Sequence, residues 1–252
     1  MFTPIPETSR GMKISVIVPA FNEEKLLAGV LENLNSAMRV LSAKGWGTEL
    51  IVCDNNSTDS TAQIARHAGA VVVFEPVNQI ARARNRGASV ATGEWLIFVD
   101  ADSWPGSGLF GEIAKELLNR DVVGGGAVIQ FDLSEWWSEL LVWAWNRLSR
   151  WKGWAAGSLV FCDAAAFRAV NGFNEEMFAA EEIDLSKRLQ EWGRASGRGM
   201  KIITKFPMKT SSRKTRLYTP FEHLRFLVAG LFSHRKVMRD KSRCTLWYDG
   251  RR

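Results

Sequence analysis

Trp95 to Val99 is an unbroken apolar run that ends directly on Asp100-Ala101-Asp102. A short run without alternation suits a strand buried on both faces, the kind found in parallel sheets covered by helices on each side. In open sheets of that class, ligands bind outside the carboxyl ends of the strands, and both aspartates fall there. Side chains alternate with period two along an extended backbone, so Asp100 and Asp102 point roughly the same way. Two carboxylates withdrawn from water need a positive partner. Mg2+ or Mn2+, hard cations that take oxygen ligands and share their shell with substrate phosphates, would supply it. A solvated acidic turn would use the same residues, so the pair alone decides nothing.

The chain before this run repeats one unit. Lys13 to Val18 is a β-branched strand closed by Pro19 and followed by Ala20-Phe21-Asn22-Glu23-Glu24. Glu23 and Glu24 read as the first turn of a helix reaching about Leu41, where negative charge suits the helix dipole. Leu26, Leu27, Val30, Leu31, Leu34, Met38 and Leu41 form its apolar stripe. Glu49 to Cys53 is a second strand, leading into Asp54-Asn55-Asn56, and Ser57 or Thr58 can cap a helix through His67. Ala70 to Phe74 is a third strand, and Asn78 to Ala91 a helix carrying Arg82, Arg84 and Arg86. The pattern is β-α-β-α-β-α-β, for which parallel strands with right-handed crossovers are the economical solution. It brings Asn22, Asp54, Asn55, Asp100 and Asp102 to one edge of the sheet.

Beyond the run, Gly106, Gly108 and Gly111 spell GxGxxG. A dinucleotide fingerprint would follow its strand immediately; here two aspartates intervene, so the stretch reads as a glycine-rich entry to a helix of about Leu109 to Leu118. A P-loop is absent. Val122 to Gln130 is a candidate strand. Between Phe131 and Trp154 lie six tryptophans, 136, 137, 143, 145, 151 and 154. A buried amphipathic helix is the expected use; a surface that meets lipid or a lipid-linked acceptor is the alternative. A strand over Gly157 to Cys162, a helix over Ala164 to Val170, a helix over Ile183 to Trp192 and a strand over Met200 to Thr204 follow. Pro220 opens a last helix with Phe221, Leu224, Leu227, Val228, Leu231 and Phe232 on its apolar face.

The net charge of +6 is unevenly placed. From Lys209 onward there are 12 Lys and Arg against 3 Asp and Glu, while the preceding body has 21 against 24. A basic tail suits substrate phosphates, an anionic membrane surface or nucleic acid; nucleic acid would leave the acidic strand ends unexplained. Cys53, Cys162 and Cys244 form no CxxC pair, which argues for a reducing compartment and against a disulfide framework or structural zinc. No signal-like apolar segment and no 18-residue apolar run occur. The expected location is cytoplasmic, with peripheral contact at the inner face of the membrane left open.

Four stretches together resemble a family 2 glycosyltransferase of the GT-A fold: ISVIVPAFNEE, ELIVCDNNSTDST, IARARNRGASVATGEWLIFVDADSWP and GSLVFCDAAAFRAVNGFNEEMFAAEEIDLSKRLQEWG. The resemblance covers about Ile14 to Thr210. It implies an α/β fold, a Rossmann-like, mostly parallel sheet flanked by helices, in a single domain with a basic helical C-terminal tail. The implied division is a nucleotide-binding half (12–105), an acceptor and catalytic half (106–208) and the tail (209–252). It implies that Pro19, Ala20 and Asn22 line the nucleotide, that Asp54 binds the base, and that Arg84 faces the nucleotide or diphosphate. Asp100 is placed near ribose and metal, Asp102 as the direct ligand of Mn2+ or Mg2+, and Gly157 and Ser158 in the donor and acceptor loop. Arg213 resembles a residue of the basic loop that closes over the diphosphate. The family usually has Glu-Asp at the catalytic-base position; here Glu181-Glu182 stands there, so Glu182 takes the role, with Glu181 and Asp184 as alternatives. As a helix N-terminus, the same three acids have a purely structural use.

The implied activity is inverting, metal-dependent transfer from a nucleotide sugar, UDP-linked ahead of GDP-linked, to an acceptor hydroxyl. A polyprenyl-phosphate sugar synthase, like dolichyl-phosphate mannose synthases, is the alternative enzyme, and a nucleotide-sugar-binding module without turnover the alternative class. Sugar, acceptor and third metal ligand stay open, with His223 and His234 as candidates for the last. A homodimer also stays open.

Overall fold

Each apolar run of the first hundred residues folds as a strand, because period-two alternation gives both of its faces something to bury against. The computed structural model describes residues 11–133, 135–155, 158–213, 217 and 238–244. The strands are β1 (Lys13–Ala20), β2 (Gly47–Asp54), β3 (Val71–Phe74), β4 (Trp95–Val99), β5 (Ser103–Trp104), β6 (Val122–Phe131), β7 (Leu159–Asp163) and β8 (Gly199–Thr210). The helices are α1 (Leu27–Ser42), α2 (Thr61–His67), α3 (Ile80–Val90), α4 (Ser107–Leu117), α5 (Trp136–Lys152), α6 (Ala164–Ala169) and α7 (Glu181–Arg194).

One eight-stranded sheet runs in the order β3-β2-β1-β4-β7-β6-β8-β5. Its first half is wholly parallel, with Ala20 opposite Asp54 and Ile14 opposite Trp95. β7 then runs antiparallel to both β4 and β6, β8 lies parallel to β6, and β5 closes the edge antiparallel to β8. Val16, Val18, Ile97 and Val99 pack with Leu27, Leu31 and Leu34 of α1 and Phe110 and Ile113 of α4. The intervening Ile17, Leu96 and Phe98 pack with Ala81 and Ala88 of α3, Phe167 of α6, and Leu185 and Leu189 of α7. Each buried Val, Ile, Leu or Phe side chain among them contributes about 1.5–3 kcal/mol. In β6, a Cβ on Gly125 would collide with the Lys201 carbonyl and the Phe161 ring, so only glycine lets β8 and Phe161 close on this strand.

Several expectations need correction. α1 starts at Leu27 and has no acid in its first turn. Asn22 sits at φ 51, and the next residues turn toward the loop after β2: Glu23 N–H donates to Thr61 Oγ1 and Glu24 N–H to Asp59 Oδ2. That cross-loop bonding delays the helix by a turn. α2 starts at Thr61 rather than after a Ser57 or Thr58 cap, because both residues bond Asn22 instead. α7 starts at Glu181, β8 extends to Thr210, and the two-residue β5 had no sequence signal. The buried-helix expectation for the tryptophan-rich stretch is not met: Trp136, Trp143 and Trp151 of α5 are 80%, 60% and 76% exposed. All three cysteines are buried, and none is in a disulfide. Among the described residues, no helix is long and apolar enough to cross a membrane. The helix expected from Pro220, with His223 and His234, lies outside the described residues.

Candidate active site

The parallel half of the sheet delivers its polar residues to one edge because β1, β2 and β4 end together. Ala20 O accepts from Asn55 N–H, tying the β1 and β2 ends. Asn22 N–H donates to Ser57 Oγ, and its Oδ1 accepts from Thr58 N–H at 2.8 Å. Asp54, at the end of β2, accepts from Ser57 N–H. Pro19 is half-buried and Ala20 fully buried at the same end. Asn55, not assigned a site role from sequence, bonds Glu75 O, Val77 O and Gln79 N–H, so it shapes the loop between β3 and α3.

Beside this edge lies a buried ion cluster. Arg84 enters from α3 with its side chain only 2% exposed. Its Nη2 donates to Asp100 Oδ1 at 2.8 Å, and its Nη1 donates to both Glu181 Oε1 and Glu182 Oε1 at 2.8 Å. The guanidinium also stacks over Phe173, 5.2 Å from the ring centre. The guanidinium of Arg84 is thus turned to three carboxylates. Burial lowers the pKa of Arg84, but Glu182, Asp100 and Glu181 outweigh it and raise it above the ordinary value. Burial, reinforced by the charge of Glu182, raises Glu181 above the usual carboxylate range. α7 starts from Ala180 in the left-handed region, φ 60, which sets its two leading glutamates against Arg84. Glu182 is the more exposed of that pair, 13% against 4%. Asp184, one turn along, pairs with Arg188 at 2.7 Å instead.

A second arginine serves the other aspartate. Arg213 grips Glu23 through both terminal nitrogens, at 2.7 and 3.0 Å, and its Nη2 lies 3.4 Å from Asp102 Oδ2. Ser211 N–H donates to Asp102 O, and Ser103 Oγ to Thr210 Oγ1. Sequence reasoning gave Glu23 to a helix turn and missed this contact, 190 residues away along the chain. Asp100 N–H donates to Ser158 O, while the buried Ser158 hydroxyl has no hydrogen-bond partner among the described residues. Gly157 lies outside the described residues.

The donor chemistry fits a hard divalent cation. Asp100 and Asp102 offer carboxylate oxygens from one strand end. Among the described residues, no group of three or more His, Cys, Asp and Glu could by itself hold a metal ion.

The family model described as "Glycosyl transferase family 2" matches residues 15–172. An uncharacterized glycosyltransferase of Mycobacterium tuberculosis is 35% identical over 116 residues, covering 46% of this chain and 49% of that protein. The chain thus spans about half the length of the curated relatives it matches. The S. aureus TarS fragment 1–349 in complex with UDP-GlcNAc aligns with TM-score 0.61 at 18% identity, over 93% of this chain and 69% of that fragment. Glucosyl-3-phosphoglycerate synthase from M. tuberculosis, in complex with Mn2+, UDP and phosphoglyceric acid, aligns with TM-score 0.61 at 21% identity, over 89% and 79%. At these identities the structural likeness shows a shared fold.

Proposed function

This chain belongs to glycosyl transferase family 2, and from that premise we propose that it transfers a sugar from a nucleoside diphosphate, UDP ahead of GDP, to an acceptor hydroxyl with inversion at the anomeric carbon. The observation that carries the reading is the joining of Asp100, at the end of β4, to Glu181 and Glu182, at the start of α7, through the one guanidinium of Arg84. It brings a phosphate-side carboxylate and a candidate base into one rigid cluster. UDP in the two aligned structures supports the nucleotide preference.

In this reading the half at 12–105 takes the nucleotide. Pro19, Ala20 and Asn22 line it, and Asp54 hydrogen-bonds the base. Asp102, with Asp100, would hold Mn2+ or Mg2+, which when bound neutralises the leaving diphosphate. Arg213, anchored by Glu23, adds positive charge on the same side. Ser158 and Gly157 orient the donor sugar or acceptor. Glu182 accepts the acceptor hydroxyl's proton as that oxygen attacks, a step worth roughly 10²–10⁴-fold. Glu181, whose burial favours its protonated form, and Arg84 position Glu182, while Asp184 stays with Arg188. A lipid-linked acceptor, as for a polyprenyl-phosphate sugar synthase, is a second reading favoured by the exposed tryptophans of α5.

A thermal-shift series of nucleotides and nucleotide sugars, with and without Mn2+, followed by turnover assays on the stabilising ligands, tests the reading. A ligand held by the native state at 100 times its Kd stabilises it by about 2.7 kcal/mol. A metal-dependent shift with a UDP-sugar, followed by sugar transfer or slow hydrolysis, is expected. A shift without any turnover would leave a binding module, and no shift with any nucleotide would contradict the proposal.

A further inference from the structure

α5 is built inside out. Its two buried residues are Ser138 and Ser149, which share one side of a 3.6-residue helix with Asn146. These polar groups are satisfied: Asn146 bonds both the N–H and the carbonyl of Ile129 in β6, Ser138 Oγ donates to Glu135 O at the start of the helix, and Ser149 Oγ donates to Trp154 O just past its end. The opposite side carries Trp136, Leu140, Trp143, Leu148 and Trp151, every one exposed. Separated in turn by four, three, five and three residues, these side chains share one side of the helix, the kind of apolar stripe that a helix normally turns toward its core. Here it faces outward and borders an open concavity of about 780 Å3, lined by Trp143, Ala144, Arg147, Leu148, Arg150 and Trp151.

The cations of the helix sit on that stripe. Arg147 stacks over Trp143 at 5.7 Å and Lys152 over Trp151 at 3.8 Å, and Arg150 lines the same concavity. Glu139 is the one acid within α5. A protein partner would need a matching apolar groove, whereas an anionic lipid surface matches both components at once. Indole rings settle at the headgroup boundary, and arginine and lysine pair with anionic headgroups above it.

We propose that the outward face of α5 docks the protein on an anionic bilayer surface, with Trp136, Trp143 and Trp151 inserted at the headgroup level and Arg147, Arg150 and Lys152 bound to lipid phosphates. The proposal is independent of sugar transfer, since docking is read without substrate.

Co-sedimentation of the whole chain with phosphatidylglycerol vesicles, and with phosphatidylcholine vesicles as control, tests it. Binding to the anionic vesicles at low salt, released at high salt, is expected. Combined Trp136→Ser, Trp143→Ser and Trp151→Ser should weaken that binding by at least about tenfold with the melting temperature unchanged, because all three rings are exposed. Arg147→Gln with Arg150→Gln and Lys152→Gln should remove most of the salt-sensitive part. Absence of binding at low salt, or wild-type binding by the triple tryptophan variant, would overturn the proposal. So would a dimer that the tryptophan changes dissociate without any vesicle binding, since a second copy would then cover the face.

Discussion

Arg84 Nη2 lies 2.8 Å from Asp100 Oδ1, so the first aspartate of Asp100-Ala101-Asp102 is held by a buried cation from α3. Glu181 and Glu182 share that cation. Removing one partner from a buried ion cluster leaves the others uncompensated, at a cost of about 3–5 kcal/mol. Arg84→Met should therefore lower unfolding stability by that order at neutral pH. Urea unfolding at neutral pH is the measurement; a deficit well below that order would mean the cluster is not held as described.

Asp102 sits past the end of β4 beside Arg213, where its loss touches no core packing. Asp102→Ala should keep the melting temperature of the apo protein within a degree or two, about the range of ordinary surface changes. The same change should weaken Mn2+-dependent UDP binding by about tenfold to a hundredfold. Calorimetry with UDP, with and without Mn2+, reads both; unaltered metal-dependent affinity would remove Asp102 from the site.

Glu49 lies away from the site, at the start of β2, and gives a clean pH signature. Burial acts to raise its pKa, but hydrogen bonds from Ser15, Thr92 and Lys13 together outweigh it and hold the carboxyl at about 2, below the ordinary 4.5. A depressed folded-state pKa stabilises the fold above the unfolded value and is lost as pH falls through the folded one. Glu49→Gln should be less stable than wild type at pH 7, with the gap closing between about pH 4.5 and 2. A gap that stays constant across that window would show that the charge of Glu49 is not what holds Ser15, Thr92 and Lys13.

Two glycines should respond oppositely to one methyl group. A Cβ at Gly125 meets the Lys201 carbonyl and Phe161, so Gly125→Ala should cost several kcal/mol, of order 2–4, and reduce soluble yield. Gly29, exposed in α1 with open space around it, should gain about 0.5–1 kcal/mol on change to alanine. Thermal melts of the two variants check both signs.

The parallel half of the fold was legible because its strands are buried on both faces and read as plain apolar runs, Trp95–Val99 above all. The convergence of Asp54, Asp100 and Asp102 followed from topology alone. What sequence could not show were the pairings of distant charges. Arg84 looked like a residue facing a ligand until its guanidinium was seen against Glu181 and Glu182, almost a hundred residues on. Glu23 looked like a helix-dipole residue until Arg213 was found on it. β5 was invisible because two residues carry no periodicity, and only the pairing of Ser103 with Thr210 makes them a strand. The six tryptophans predicted burial because apolar stripes normally turn inward; Ser138, Asn146 and Ser149 on the opposite side were the available signal for the reverse.

Glu182 as the base is the point on which the proposed transfer turns, and Glu182→Gln tests it most directly. The change keeps size and shape but removes the proton acceptor. Steady-state kinetics beside nucleotide-sugar affinity should show kcat lower by about a hundredfold or more with affinity nearly unchanged, the pattern of an interaction used in the transition state. Glu181→Gln and Asp184→Asn, measured in parallel, should each retain far more activity. Loss of rate in either of those with Glu182→Gln unaffected, or in none of the three, would contradict catalysis through Glu182.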